Sequence, residues 1–502
     1  MKRYLSFLLL AFVPFMLIAQ TKVKDNMRKG FDEFRESMRK DYQNKRKEMA
    51  DEHQEFRNRI MKEYIDFVRH AWAEFHKVAP LPVPKEEPLP PLIIPDNIKR
   101  LPVDDKPVAI KNILKPISDV PQPQPLVPIE VAPIVDGKRV MFRFYGTDAS
   151  VCFDVDDKVC LTAIDENAIA DALGRMATES YDNVIVDCLG LRKKHSLSDW
   201  AYVNMLDALS KKIHGDDLNS ATLFMAYVYM QSGYKMRLAT YGERLYMLYA
   251  SMHNIYELPS FVVDDIRYYS LEKLPLRLNI CKAAFEKETP LSLIVQGNQL
   301  LAFKPATSHH IVSADYPEFY ADVAVNENML DFYKTFPTSM IGENMYTRWA
   351  IYANTSTDTK VADKLYPQLK SKLSGLSELE AVNRILNFVQ TGFEYRFDDE
   401  IWGCDRVFFP DECLHYSYND CDDRSVLFSR LVRDIVGLDA CLVFVPGHVL
   451  VGVEFNEDVK GGYVMVNDRK FILCEPTCTN GAPVGWSDID DGADLNLYLL
   501  ER

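Results

Sequence analysis

Three residues in the C-terminal part of the chain have side chains suited to nucleophilic catalysis: Cys421, His448 and Glu475. A cysteine reacts as its thiolate, a histidine accepts and returns a proton, and a carboxylate can orient the imidazole through its second nitrogen. Each of the three residues stands at the boundary of a predicted helix or strand. This combination is typical of acyl-transfer chemistry, whereas a cysteine alone is more often a small buried hydrophobic residue.

Cys421 lies at the start of a predicted amphipathic helix. Apolar residues recur along this segment at one-, three- and four-residue steps, and Gly437 is the expected C-terminal stop. At a helix N-terminus, unpaired backbone N–H groups and the helix dipole favour a thiolate. The three aspartates beside the cysteine oppose this effect, because a dipole end carries only about half a charge. Activation therefore requires a base close to the sulfur, and His448 is the candidate.

Two predicted strands bring the other two residues to the helix. The strand LDACLVFV leads into a proline-glycine bend, after which His448 opens an antiparallel strand. A later strand, KFILCEPT, ends at Glu475, so an acid follows the histidine on a neighbouring element. Asp468 and Asp488 are the alternative orienting acids if the strands end elsewhere.

This order of elements resembles the transglutaminase-like superfamily, which shares the papain-like cysteine peptidase fold. The resemblance covers residues 379–486 and rests on a cysteine at a helix start, a histidine on the next strands and the CEPT segment. It implies that Cys421 is the nucleophile, His448 the general base and acid, and Glu475 the orienting carboxylate. Glu475 replaces the more usual aspartate, and Asn419 stands where a glycine commonly precedes the nucleophile.

The sequence does not determine which groups would form the oxyanion hole. The backbone N–H of Cys421 is the expected first donor, because a helix N-terminus directs such groups at developing negative charge. Tyr416, Tyr418 and Asn419 are the three candidates for a second donor, each placed just before the helix.

The middle of the chain repeats the same order of elements. Two predicted helices, WAYVNMLDALSKKI and LEAVNRILNFVQTGF, share a Val-Asn pair, and each is followed by a helix beginning Leu-Phe, a glycine and a strand. The stretches RVMFRFYG and NVIVDCLG are predicted strands. We expect an α+β fold in which 135–280 is a degenerate copy of a catalytic domain at 281–502. Asp217 then stands opposite Cys421, and Arg244 opposite His448.

Three segments precede these domains. Residues 1–19 have the basic start, apolar run and small residue of a secretory signal peptide. Residues 20–78 are predicted to form an amphipathic or coiled-coil helix, serving self-association or partner docking, or folding back on its own domain. Residues 79–134 are a proline-rich linker. We expect a periplasmic or extracellular protein with no stable membrane span after signal cleavage.

Composition excludes several other functions. A formal charge of −15 over 502 residues argues against nucleic-acid binding, and no glycine-rich phosphate loop occurs. The spacing of the ten cysteines does not determine a disulfide pattern. Thiolates at 404, 413, 474 and 478 lack the two-residue spacing of structural zinc sites, so neither a metal nor a cofactor is predicted.

We therefore expect an exported cysteine hydrolase, a peptidase or amidase, that acts on a peptide or protein through a Cys-His-Glu triad. The alternative is a catalytically inactive binding or scaffold protein of the cell envelope. The degenerate copy, the long helix and the proline-rich spacer would suit that role.

Overall fold

The computed structural model describes residues 35–38, 40–41, 44–45, 55, 57–84, 89–94, 105–114, 120–126, 137–285, 287–489 and 495–501. The chain divides into two compact units, 1–63 and 64–502. Every described residue of the first unit is helical, as the apolar periodicity of this part predicts. The predicted signal peptide at 1–19 lies outside the described residues. Everything below concerns the second unit.

Helices and antiparallel strands are mixed in the second unit, which begins with helical residues 64–68. The α-helices are α1 Glu166–Met176, α2 Glu179–Lys194, α3 Asp199–His214, α4 Leu218–Gln231, α5 Glu327–Thr335, α6 Thr347–Asn354, α7 Thr359–Leu373, α8 Glu378–Thr391, α9 Asp398–Ile401, α10 Pro410–His415 and α11 Cys421–Leu431. A 3₁₀ turn spans Val155–Asp157, and a π-helical turn, Val432–Val436, continues α11. No helix among the described residues is long and apolar enough to cross a membrane.

Nineteen strands form five sheets among the described residues. The strands are β1 Trp72–His76, β2 Lys106–Pro107, β3 Asn112–Leu114, β4 Arg139–Phe144, β5 Thr147–Cys152, β6 Met236–Tyr241, β7 Arg244–Ala250, β8 His253–Ile255, β9 Phe261–Val263, β10 Ile266–Tyr269, β11 Arg277–Cys281, β12 His309–Val312, β13 Tyr320–Val323, β14 Ser339–Ile341, β15 Ala440–Val445, β16 His448–Glu454, β17 Gly462–Val466, β18 Arg469–Cys474 and β19 Asn496–Leu499. The two larger sheets have the orders β1-β11-β6-β7-β10-β9 and β2-β17-β18-β16-β15-β19-β3. The small sheets are β12-β13, β14-β8 and β4-β5.

The seven-stranded sheet carries the region of the chain with the predicted triad. Its five central strands pair antiparallel, and β2 and β3 pair parallel with its two edges. Both edge strands come from the proline-rich stretch predicted as a linker. An edge position tolerates Pro107, because a proline cannot donate a hydrogen bond to a further strand.

Two predicted elements are wrong. The stretch NVIVDCLG forms part of helix α2, because Val184, Ile185 and Cys188 are fully buried on one helical face. A short apolar run does not distinguish a buried strand from a buried helix. The helix predicted to continue to residue 78 ends earlier, because Trp72–His76 pairs antiparallel with Arg277–Cys281.

The two halves of this unit each contain a buried helix followed by an antiparallel hairpin. In the first half α4 precedes the β6–β7 hairpin, and in the second half α11 precedes β15–β16. Helix α11 packs on β16 and against α6, α8 and α10. All eleven of its residues are buried, so the predicted amphipathic helix has no solvent-facing side.

Candidate active site

Three neighbouring elements bring the predicted triad together. Cys421 is the first residue of α11, His448 is the first residue of β16, and Glu475 directly follows β18. Because β16 pairs with β18, the Nε2 atom of His448 lies 2.9 Å from Oε2 of Glu475. Both side chains of this pair are buried, and Cys421 is 8% exposed. The structure thus places the sulfur, the imidazole and the carboxylate in one cluster.

A tight hairpin positions the histidine. Val445 pairs with His448 across a two-residue turn in which Gly447 has φ +70°, a conformation that favours glycine. Helix α11 is fastened to the same strand, because Ser425 Oγ donates a 2.9 Å hydrogen bond to the carbonyl of Val449. Rotation of the helix relative to the histidine would break this bond.

The surroundings of His448 favour its protonated form. Burial alone would lower the pKa of His448, but the Glu475 carboxylate and the Cys421 side chain raise that pKa to about 11. The Nε2 atom bonds Glu475, while Nδ1 has no hydrogen-bond partner of standard geometry among the described residues. Cys421 is nevertheless close enough to act on the imidazole as a hydrogen-bonding group. An imidazolium paired with the Glu475 carboxylate through Nε2 keeps its Nδ1 proton available for transfer.

The carboxylate is itself held in place. Its Oε1 atom accepts hydrogen bonds from the Thr477 backbone N–H at 3.0 Å and from Thr477 Oγ1 at 2.5 Å. Burial would raise the pKa of Glu475, yet His448 and Thr477 together lower it below its ordinary value. Gln390 donates to the backbone carbonyl of Glu475 at 2.8 Å. Of the alternative acids, Asp468 lies in the turn at the other end of β18.

Burial raises the pKa of each of the three aspartates at the start of α11. Asp423 accepts from the backbone N–H of Phe408 at 2.7 Å and of Asp420 at 3.4 Å, and Asp422 accepts from the Trp349 indole N–H at 2.7 Å. Burial raises the pKa of Asp422, and raises those of Asp420 and Asp423 well above the ordinary value. The opposition to a thiolate is therefore weaker than three full negative charges would produce.

Arg424, for which the sequence pattern predicts no role, lies in the first turns of α11. This side chain is fully buried and donates to the carbonyls of Asn419, Gln390 and Phe393 at 3.3, 2.9 and 2.8 Å. Burial lowers the pKa of Arg424 to about 10. Its three bonds join the segment that precedes α11 to the end of α8, so Arg424 fixes the backbone on which the cysteine stands.

The side chains of Tyr416, Tyr418 and Asn419, which are the candidate second oxyanion donors, do not line the cavity that contains Cys421. The side-chain amide of Asn419 donates to the carbonyl of Cys413 at 3.2 Å. The rings of Tyr416 and Tyr418 stack on each other with centroids 5.9 Å apart and lie outside the cavity lining. Trp349, which the sequence did not single out, does line the cavity, but its indole N–H is engaged by an aspartate.

Cys421 and His448 open into a cavity of about 1310 Å³. Such a volume exceeds the ~300–1,000 Å³ of typical small-molecule sites and leaves room for an extended substrate. Cys421 and His448 of the second half line this cavity together with residues of the first half, among them Asn204, Asp207 and Glu257. Aromatic residues of the lining are Trp200, Tyr256, Tyr346, Trp349, Phe397 and Phe444.

Part of the proline-rich stretch lies beside the histidine hairpin. Pro82, Val83 and Pro84 line the cavity. The backbone N–H of Leu89 donates to the carbonyl of Gly447 at 3.1 Å, and Tyr395 Oη donates to the carbonyl of Leu89 at 3.2 Å. These contacts place the stretch against the candidate active site.

None of the ten cysteines, all of which lie among the described residues, forms a disulfide, so no disulfide holds the site together. In comparisons with known proteins, no protein-family model matches the chain and no curated protein matches it.

Proposed function

We propose that this chain is an exported cysteine hydrolase, a peptidase or amidase of transglutaminase-like type. The observation that carries the proposal is the buried 2.9 Å pair between His448 and Glu475, with the Cys421 sulfur acting on the same imidazole at the cavity wall. A nucleophile, a base and an orienting acid in contact are the elements of a catalytic triad. Export is inferred from the signal-like residues 1–19.

In the proposed reaction, the Cys421 thiolate attacks the carbonyl carbon of an amide. The new S–C bond pushes the carbonyl electrons onto oxygen, where a backbone N–H at the helix start is the first donor. His448 then gives its Nδ1 proton to the leaving amine as the C–N bond breaks. Water, deprotonated by the neutral imidazole, hydrolyses the thioester and restores the thiolate. A substrate amine in place of water would give transamidation.

The first half is proposed to be a degenerate copy of the same domain. Arg244 is the first residue of β7, as His448 is of β16, which fits the sequence comparison. Asp217 is the N-cap of α4, and Leu218 takes the first helical position that Cys421 has in α11. Arg244 donates to the Leu218 carbonyl at 3.2 Å, so a structural contact replaces the reactive pair in this half.

Thioester formation with an activated acyl ester tests the proposal. Intact-mass spectrometry should find one acyl group on the wild-type chain and on Cys404→Ala, whose exposed cysteine also lines the cavity. Cys421→Ala should stay unmodified, and His448→Gln should form the adduct more slowly. Acylation of Cys421→Ala at the wild-type level would refute the assignment of Cys421 as the nucleophile. Normal acylation with no hydrolysis of any peptide or amide would favour the binding-protein alternative.

A further inference from the structure

A second group of reactive side chains lies in the first half of the unit. Cys160, His214 and Asp217 offer a sulfur, a ring nitrogen and a carboxylate oxygen that lie within 4.8 Å of one another. His214 is the last residue of α3, and Asp217 is the N-cap of α4. Cys160 follows the 3₁₀ turn before α1. The turn between two helices and a neighbouring loop thus direct three metal-ligand groups to one point.

His214 has no partner of its own in this cluster. The residue is 6% exposed, and neither ring nitrogen has a hydrogen-bond partner among the described residues. An unpaired buried polar group costs roughly 1–3 kcal/mol of stability, so a buried imidazole normally has a hydrogen-bond partner or another ligand. Phe224 packs against the ring with centroids 5.6 Å apart and offers no acceptor.

The charged groups beside His214 bear on a bound cation. Asp217 and Lys158 are the charged side chains of the described residues that act on the imidazole. Asp217 would attract a dication, whereas Lys158 would have to move aside or be screened when the dication binds.

We propose that Cys160, His214 and Asp217 form a binding site for a zinc-type transition-metal dication. Thiolate, imidazole and carboxylate are the ligands that Zn²⁺ prefers, whereas Ca²⁺ and Mg²⁺ prefer oxygen ligands alone. Three protein ligands leave the fourth tetrahedral position for water or an external ligand. Ligand atoms around Zn²⁺ are roughly 3.3–3.6 Å apart, so binding contracts the cluster by at most about an ångström. The exposed Cys160 and Asp217 supply this movement.

The carboxylate is already oriented for this role. Asp217 Oδ1 accepts from the Ser220 N–H at 3.1 Å and Oδ2 accepts from Ser220 Oγ at 2.6 Å. Ser220 Oγ also accepts from the backbone N–H of Leu161, the residue after the cysteine, at 2.8 Å. Hydrogen bonds of this kind orient metal-ligating carboxylates in known sites. Metal binding would clamp the loop to the start of α4.

The test uses the full mature chain without an affinity tag, in the Cys421→Ser background, which removes the other cysteine-histidine pair. Calorimetry with ZnCl₂ should give one site per chain, and Co²⁺ should give a thiolate-to-metal charge-transfer band. Adding Cys160→Ser should abolish the band and weaken Zn²⁺ binding by roughly 100-fold or more, beyond the 10- to 100-fold typical of outer-shell changes. Asp217→Asn, which keeps a helix cap, should weaken binding without abolishing the band.

Cys404→Ser is the matched control, since Cys404 is the other exposed cysteine. It should leave both the affinity and the band unchanged. Bound Zn²⁺ should also protect Cys160, and not Cys404, from iodoacetamide. Zn²⁺ binding that survives Cys160→Ser at full strength, or a band lost in Cys404→Ser, would overturn the proposal. Acylation of Cys421 is measured in the otherwise wild-type chain and does not depend on these metal-binding results. The metal-site proposal and the triad proposal can therefore be refuted independently.

Discussion

Replacing Glu475 with glutamine removes the negative charge that keeps His448 protonated, while the side chain keeps its length. The glutamine amide has a single oxygen, so it can accept from His448 Nε2 or from the Thr477 N–H, and its NH₂ group faces the other partner. The pKa of His448, raised to about 11 in the wild type, should therefore fall. Burial then becomes the largest influence on the pKa of His448, and it lowers this pKa because it disfavours the imidazolium.

The size of the fall follows from the 2.9 Å separation. Two unit charges at this distance interact by about 6 kcal/mol at an effective dielectric constant of ~20. A glutamine amide recovers part of this as an ordinary hydrogen bond of ~0.5–1.5 kcal/mol. We expect a net loss of roughly 4–5 kcal/mol, which lowers the pKa of His448 by about 3–4. Acylation of Cys421 should slow by about 10- to 100-fold near neutral pH, a cost of ~1.4–2.7 kcal/mol in the transition state.

The same pair makes stability depend on pH. The raised pKa of His448 contributes stability that is complete below its ordinary value of 6.5 and is lost as the pH rises through about 11. The lowered pKa of Glu475 contributes stability present above its ordinary value of 4.5 and lost on further acidification. The difference in unfolding free energy between wild type and Glu475→Gln should therefore be largest between about pH 4.5 and pH 6.5, and shrink both below and above this range.

Nuclear magnetic resonance of ring-labelled histidine measures the titration directly, with His448→Gln identifying the signal. Glu454→Gln, at the far end of the same strand, is the matched control and should leave the His448 titration unchanged. A His448 signal that titrates identically in wild type and Glu475→Gln would refute the electrostatic reasoning.

Three further predictions concern the stability of the elements around the site. Arg424→Met leaves three buried carbonyls without their donor, so urea unfolding should show a loss of about 3–5 kcal/mol in stability. Its control is Arg396→Met at an exposed position, which should change stability by less than ~0.5 kcal/mol. Gly452→Ala places a methyl group 2.7 Å from Cys441 Sγ and should cost about 1–3 kcal/mol. Its control is Gly190→Ala in helix α2, where nothing lies within 4 Å of the new methyl group, and this change should stabilise the protein by about 0.5–1 kcal/mol. Ser425→Ala removes the bond from α11 to β16 and should cost about 1 kcal/mol by the same measurement; no change would mean that this bond does not hold the helix to the strand.

The elements that surround the candidate site were predictable because local signals define them. The Pro446–Gly447 turn sets the register that makes His448 the first residue of its strand, and CEPT ends the strand before Glu475. A left-handed glycine, Gly437, ends the turn that continues the cysteine helix. These features depend on residues that are close in sequence, so they can be predicted from a single sequence.

Features that depend on distant neighbours were not predictable. Trp72–His76 becomes a strand because it pairs with residues two hundred positions away, against its helical spacing. Arg424 acquires its role from carbonyls at the end of another helix. The group formed by Cys160, His214 and Asp217 joins a loop to a helix–helix turn that is distant in sequence, so no motif spacing marks it and no metal was predicted. The charges of the buried aspartates likewise follow from packing and not from their number.

The most direct test of the account is the site of alkylation at about pH 5, where ordinary thiols with a pKa near 8.5 are almost entirely neutral and unreactive. Iodoacetamide treatment followed by peptide mapping compares Cys421 with the exposed Cys160 and Cys404 in one sample. If His448 holds the Cys421 sulfur as a thiolate, Cys421 is modified first, and His448→Gln slows that reaction by at least about tenfold while the other two cysteines are unaffected. Modification of Cys160 and Cys404 ahead of Cys421, with no effect of His448→Gln, would contradict the account.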